Sequence, residues 1–218
     1  MMQPKTILCY GDSNTWGWNP VGADLFVPDR FPSNVRWTGV LQAALGVGYT
    51  VLEEGLSGRT TVFEDPVFGY KNGKEQLIPC LETHRPLDLV IILLGTNDLK
   101  KMYGVSPMEI AFGAGALVDM ARHSRVGPAG RAPRVLLIAP PPPGKLTGFA
   151  EMFEGAEDKA ARFGECYAQV AVMYGCAFLN AGEIVVSSDL DGLHWEASEH
   201  EKFGQALAGQ VRDILSGE

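Results

Sequence analysis

The chain has 218 residues, 46% of them hydrophobic and 20% charged, which suits one globular domain with a substantial core. Its formal net charge is −8, and Lys and Arg are scattered singly, so neither nucleic acid nor an anionic membrane surface is an expected partner. The apolar run near the N-terminus spans five residues, too short for a signal peptide, and no run reaches the roughly 18 apolar residues of a membrane span; the expectation is a soluble, cytoplasmic protein.

The first candidate strand, Thr6–Tyr10, runs directly into Gly11-Asp12-Ser13-Asn14. Taken alone, that tetrad reads more readily as a turn with a helix cap than as the seat of a nucleophile. Residues 33–45 repeat Trp37, Val40, Leu41, Ala44 and Leu45 at helical spacing, with Gly46 as the stop. A second strand, Tyr49–Glu53, leads into EEGLSGRTT. Residues 72–84 suggest a short helix that Pro79 confines to its first turn or kinks. A third strand, Leu87–Leu94, leads into LLGTNDLK.

Residues 106–124 open with a capping box, Ser106-Pro107-Met108-Glu109, and predict a helix. The fourth strand, Val135–Ala139, precedes the Pro/Gly-rich stretch 139–150, read as a semi-rigid loop above the sheet. Residues 151–174 predict one long, less regular helix, and Ala177–Leu179 a fifth strand. The final helix, 196–215, carries Phe203, Ala206, Leu207, Val211, Ile214 and Leu215 on one face. This alternation predicts a parallel sheet of about five strands sandwiched by helices, with ligands outside the carboxyl ends of the strands. No repeat or linker divides the chain, so residues 1–218 read as a single domain. Cys9, Cys80, Cys166 and Cys176 form no C-x-x-C pair and predict neither disulfides nor a zinc site.

The unusual polar residues gather at the predicted strand ends. They comprise Ser13, then Gly55 and Gly58, then Gly95, Asn97 and Asp98, and finally Asp191 and His194 in DLDGLHW before the last helix. A serine hydroxyl needs a base to take its proton. Of the four histidines, His84 in a connection and His123 near a polar helix end read as solvated surface residues, and His200 as the wet face of the last helix; His194 alone follows an aspartate by three residues. Asp191, with Asp189 as an alternative, can orient that imidazole toward Ser13. The backbone N–H groups of Ser13 and Gly58 and the Asn97 amide supply donors for the oxyanion of ester cleavage.

These blocks, Gly11-Asp12-Ser13, Gly58 in LSGRTT, Asn97 in GTND and Asp191-x-x-His194, stand in the order of the SGNH (GDSL-like) hydrolase superfamily, which the chain resembles over nearly its whole length. The resemblance implies a three-layer α/β/α, flavodoxin-like fold and metal-independent ester or thioester hydrolysis without a cofactor. Asn14 departs from the namesake motif, which has Leu there. YGDSNTWGW, EEGLSGRTT, PLDLVIILLGTNDLK and FEGAEDK are further similar to the bacterial arylesterase/acyltransferase branch. That likeness implies small acyl groups, transfer to water, alcohols or peroxide, and homo-oligomers in some members.

Ten aromatics, Trp16, Trp18, Phe26, Phe31, Phe63, Phe68, Tyr70, Phe149, Phe153 and Trp195, fall in or beside the predicted upper loops. Trp16 and Trp195 neighbour the nucleophile and the base, and with Asp12 they are the candidate substrate-binding residues. A carbohydrate acetyl esterase and an acyl thioesterase share this chemistry. A flavodoxin-like binder of phosphate or flavin is the alternative of a different class, although no phosphate-loop motif follows the first strand.

Overall fold

The computed structural model describes residues 3–21 and 29–217. Its strands are β1 (Lys5–Gly11), β2 (Tyr49–Gly55), β3 (Leu89–Leu93), β4 (Arg134–Ala139) and β5 (Ala177–Asn180). All pair in parallel, in the order β2-β1-β3-β4-β5. This is the flavodoxin-like order, in which the winding reverses at β1 and leaves a crevice outside the carboxyl ends of β1 and β3.

The helices are α1 (Ser13–Trp16), α2 (Trp37–Leu45), α3 (Gly73–His84), α4 (Pro107–His123), α5 (Ala156–Ala160), α6 (Phe163–Tyr174) and α7 (Ala197–Ser216). The pleat sorts the core into two layers, because successive strand residues point to opposite faces. Ile7, Cys9, Leu89 and Ile91 meet Trp37 and Leu41 of α2 and Phe203, Leu207 and Val211 of α7. Leu8, Tyr10, Val90 and Ile92 meet Leu77 of α3, Ile110 and Leu117 of α4, and Phe163 and Tyr167 of α6. The central strands β1, β3 and β4 are therefore apolar on both sides, which is why they read as hydrophobic runs.

Gly11 and Gly55 are paired in register at the ends of β1 and β2. A Cβ on Gly11 would sit 2.1 Å from Thr15 Oγ1, and one on Gly55 would sit 2.1 Å from the Trp16 nitrogen. Both glycines are required so that α1 can lie directly on the sheet, holding Ser13 at its edge.

Four helical expectations change. Helix α3 runs through Pro79, because Pro79 and Glu75, whose carbonyl loses its i+4 donor, both face solvent. The helix expected over 33–45 starts at Trp37, since residues 33–36 form a turn on the Pro32 carbonyl. The stretch 151–174 is two helices: left-handed Gly155 starts α5, and a turn at Ala161–Arg162 separates α5 from α6. In α7, Ala206 is exposed, and the buried stripe instead runs His200, Phe203, Gly204, Leu207, Ala208, Val211. His200 is thus fully buried rather than on a wet face, one turn before Phe203 in the 3.6-residue period. Its Nδ1 accepts the Trp37 N–H at 3.3 Å, supplying a partner at the start of α2, where Arg36 makes no side-chain cap. Burial, then the neighbouring His194 and Arg36, push its pKa down to about 3, so the ring is neutral.

Among the described residues no helix is long and apolar enough to cross a membrane.

Candidate active site

Ser13 begins α1, where Asp12 caps the turn by accepting the Asn14 N–H at 3.0 Å. The Ser13 Oγ lies 2.9 Å from His194 Nε2, although 181 residues separate them in the chain. The opposite nitrogen, Nδ1, lies 2.7 Å from Asp191 Oδ2. The other oxygen of Asp191 accepts the Leu193 and His194 N–H groups at 2.8 and 2.9 Å. Burial pushes the Asp191 carboxyl up, but the His194 ring and these two N–H groups more than offset it and hold its pKa below the usual carboxylate value. Asp189 is spent elsewhere, accepting the Lys145 N–H at 2.9 Å, so the geometry selects Asp191 as the imidazole's neighbour.

Asn14 ties the two ends of the chain together. Its Nδ2 donates to the Leu193 carbonyl at 3.2 Å, and its Oδ1 accepts the Trp195 N–H at 3.0 Å. One buried side chain beside Ser13 therefore grips both neighbours of His194. The departure at position 14 bears on loop alignment and not on the lining of the cavity.

The donors converge from two further loops. Gly58 has φ +82°, and neither its N–H nor that of Ser13 has a partner among the described residues. Asn97 follows β3, and its Nδ2 donates to the Arg59 carbonyl at 3.1 Å, which leaves its second amide hydrogen for a ligand. Buried Asp98 accepts the Thr61 N–H at 3.0 Å and the Thr61 hydroxyl at 2.5 Å, locking this loop to the one after β2; burial pushes the Asp98 carboxyl up to about 6. Arg59 stacks 4.0 Å over the Tyr10 ring and donates to the carbonyls of Gly11 and Glu54, fixing the approach of Gly58 to the end of β1.

A comparison with protein-family descriptions matches residues 9–201 to the GDSL-like lipase/acylhydrolase family. The chain belongs to this family.

Among solved structures, an aryl esterase from M. smegmatis is similar to this acylhydrolase at 43% identity and TM-score 0.91, over 97% of this chain and 100% of that one. A carbohydrate acetylesterase from Sinorhizobium meliloti is similar at 40% identity and TM-score 0.90, over 96% and 99% of the two chains. Another carbohydrate acetylesterase family member from that organism shows 34% identity and TM-score 0.90, over 97% and 99%. A comparison with curated proteins finds no match.

The acylhydrolase's Ser13 and His194 open onto a cavity of about 290 Å³. Trp18, Phe68, Phe149, Met152, Phe153 and Leu193 form its apolar wall, and Gly58, Asn97, Lys71 and Lys100 also line it. Trp18 lies nearly parallel to the His194 ring at 4.8 Å and 15°, and Phe149 meets the same ring edge-on at 6.1 Å. A wider groove of about 610 Å³ runs past Pro142, Gly144, Ser187 and Glu199, but Ser13, Asp191 and His194 do not line it.

The aromatics nearest in sequence are not the lining ones. Trp195 is fully buried in the core against Phe203 and His200. Trp16 carries the Arg30 guanidinium 4.8 Å above its ring. Asp12 caps the turn at Ser13 and stands outside the cavity lining. Phe31 packs on His200, Phe63 on Tyr103, and Tyr70 is exposed; Phe26 lies outside the described residues. Sequence reasoning missed the cavity-lining positions of Met152 and Lys71, which no short motif marks, and of Lys100, which closes LLGTNDLK.

His123 is exposed, as expected, whereas His84 is half-buried with its Nε2 2.6 Å from Glu54 Oε1. With Cys80 these two residues bring three ligand-type atoms within 4.8 Å of one another. Burial and then Glu54 push the Cys80 thiol up to about 12.

Proposed function

We propose that this esterase cleaves short-chain, acetyl-type carboxylic esters through an acyl-enzyme on Ser13. The observation that carries the reading is the continuous chain Ser13 Oγ–His194 Nε2–Asp191, at 2.9 and 2.7 Å. Ser13 Oγ attacks the ester carbonyl carbon while His194 Nε2 takes its proton. Asp191 holds the Nδ1–H tautomer and stabilises the imidazolium as it forms. The carbonyl oxygen becomes an oxyanion and accepts from Ser13 N–H, Gly58 N–H and the Asn97 amide. Collapse of the tetrahedral intermediate breaks the bond to the leaving alcohol, which receives the proton from His194. Water, activated by the same imidazole, then attacks the acyl-serine and regenerates Ser13.

The cavity's size favours acetyl over long acyl chains, and its aromatic wall suits aryl or sugar leaving groups. A largely apolar cavity also leaves the acyl-enzyme time to meet an alcohol or peroxide in place of water, giving acyl transfer. Initial rates on phenyl acetate, an acetylated sugar, an acyl thioester and a C12 ester test the reading, together with product ratios under added alcohol. Acetyl esters turn over fastest and added alcohol yields a new ester; faster turnover of the C12 ester removes the short-acyl pocket, and hydrolysis alone removes transfer.

A further inference from the structure

Two ammonium side chains, Lys71 and Lys100, line the cavity over Ser13. Lys100 is already matched: its Nζ donates to Asp65 Oδ2 at 3.0 Å, and both side chains are buried. The Asp65 carboxylate also accepts the N–H groups of Val67 and Phe68, at 2.9 and 3.0 Å. Lys71 has no carboxylate partner among the described residues.

The Lys71 stem crosses the face of Gly58, whose added Cβ would lie 3.3 Å from the lysine Cε and 3.5 Å from its Cδ. The Lys71 carbonyl accepts the Thr60 N–H at 2.8 Å, so the residue is pinned to the same loop as Gly58. The charged groups acting on Lys71 are the cations Lys100 and Arg59 and one carboxylate, Asp65; burial first, then Lys100, lowers its pKa. Among the described residues, two ammonium groups and no carboxylate line the cavity, and Asp65, which pairs with Lys100, lies behind the lining, on a chain whose net charge is −8. A partly desolvated cation without a counter-charge is unfavourable, and a ligand that brings the counter-charge relieves it.

We propose that Lys71 forms a subsite for a carboxylate carried by the ester, making the favoured substrates short-acyl esters with an anionic arm. The inference rests on the esterase reading and narrows its substrate class. An ester whose carbonyl oxygen sits at the Gly58 N–H presents its nearer arm to the side chain that crosses Gly58.

The test compares kcat/KM for phenyl acetate, for 4-acetoxybenzoate with the carboxylate on the leaving group, and for phenyl hydrogen succinate with the carboxylate on the acyl group. Each is measured with wild type, K71M, K71Q and K71R. For at least one carboxylate ester, the ratio of its kcat/KM to that of phenyl acetate falls about fivefold in K71M and K71Q, the size of one partly exposed ion pair. K71R retains the ratio, the change lies in KM, and added salt weakens the preference in wild type. The ester whose ratio falls identifies the arm that meets Lys71. Ratios unchanged in K71M and K71Q, with phenyl acetate still turned over, overturn the subsite alone. A wild-type protein that hydrolyses none of the three overturns the esterase reading with it.

Discussion

Asn14→Leu restores the residue of the namesake motif at similar volume and removes both grips on the His194 segment. The Trp195 N–H loses its acceptor and the Leu193 carbonyl its donor, in surroundings that are buried. Each stranded polar group costs about 1–3 kcal/mol, so the variant loses about 2–6 kcal/mol of stability. At about 2–4 °C per kcal/mol for a chain of this length, that lowers Tm by roughly 4–24 °C. The catalytic effect is separate: His194 stands between the two released residues, and a shift of its ring toward 1 Å lowers kcat by about tenfold to a hundredfold. Rates on phenyl acetate, taken at a temperature below the onset of the variant's measured melting curve, isolate this effect from unfolding. In an Asp191→Asn background the same substitution adds less, because the imidazole has already lost its alignment and the two residues act on one group. Wild-type kcat and Tm in Asn14→Leu refute the reasoning, as does full additivity with Asp191→Asn.

Two further predictions rest on single side chains. Asn97→Ala removes one oxyanion donor and lowers kcat on phenyl acetate by about 10²–10³-fold with a smaller change in KM; equal rates remove Asn97 from that role. Burial, reinforced by Asp98, pushes the Asp12 carboxyl up to about 7, above the ordinary value of 3.8. Its contribution to stability is therefore complete below pH 3.8 and is lost as pH rises through about 7. Asp12→Asn keeps an acceptor for the Asn14 N–H without the buried charge, and is more stable than wild type by on the order of 2–4 kcal/mol at pH 8 but not at pH 4. Urea melts at the two pH values check this, and a pH-independent difference contradicts it.

The fold was legible because its signals are local. A parallel sheet covered on both faces forces runs such as Leu89–Leu93 to be apolar at every position, and the capping box at Ser106 and Glu109 forms as its residues predict. Ser13, Gly58, Asn97 and Asp191-x-x-His194 were legible because each stands at a strand end or helix entry marked by Gly, Asn or Asp. What escaped depends on which loop folds over which. Trp18 and Trp195 are both aromatic neighbours of site residues, yet Trp18 stacks on the imidazole and Trp195 turns into the core. The role of Asn14 has no local signal, because its partners are about 180 residues away in the chain. His200 is the exception, since its spacing from Phe203 and Leu207 already placed it on the buried stripe of α7. The expectation for it followed residue type and overlooked period.

The central claim is that Ser13 is the nucleophile, activated by a base from the far end of the chain. A fluorophosphonate probe with peptide mapping by mass spectrometry tests it most directly. The account predicts a single adduct on Ser13, absent in Ser13→Ala and formed far more slowly in His194→Ala. An adduct on another residue, or ester hydrolysis that persists at the wild-type rate in Ser13→Ala, contradicts it.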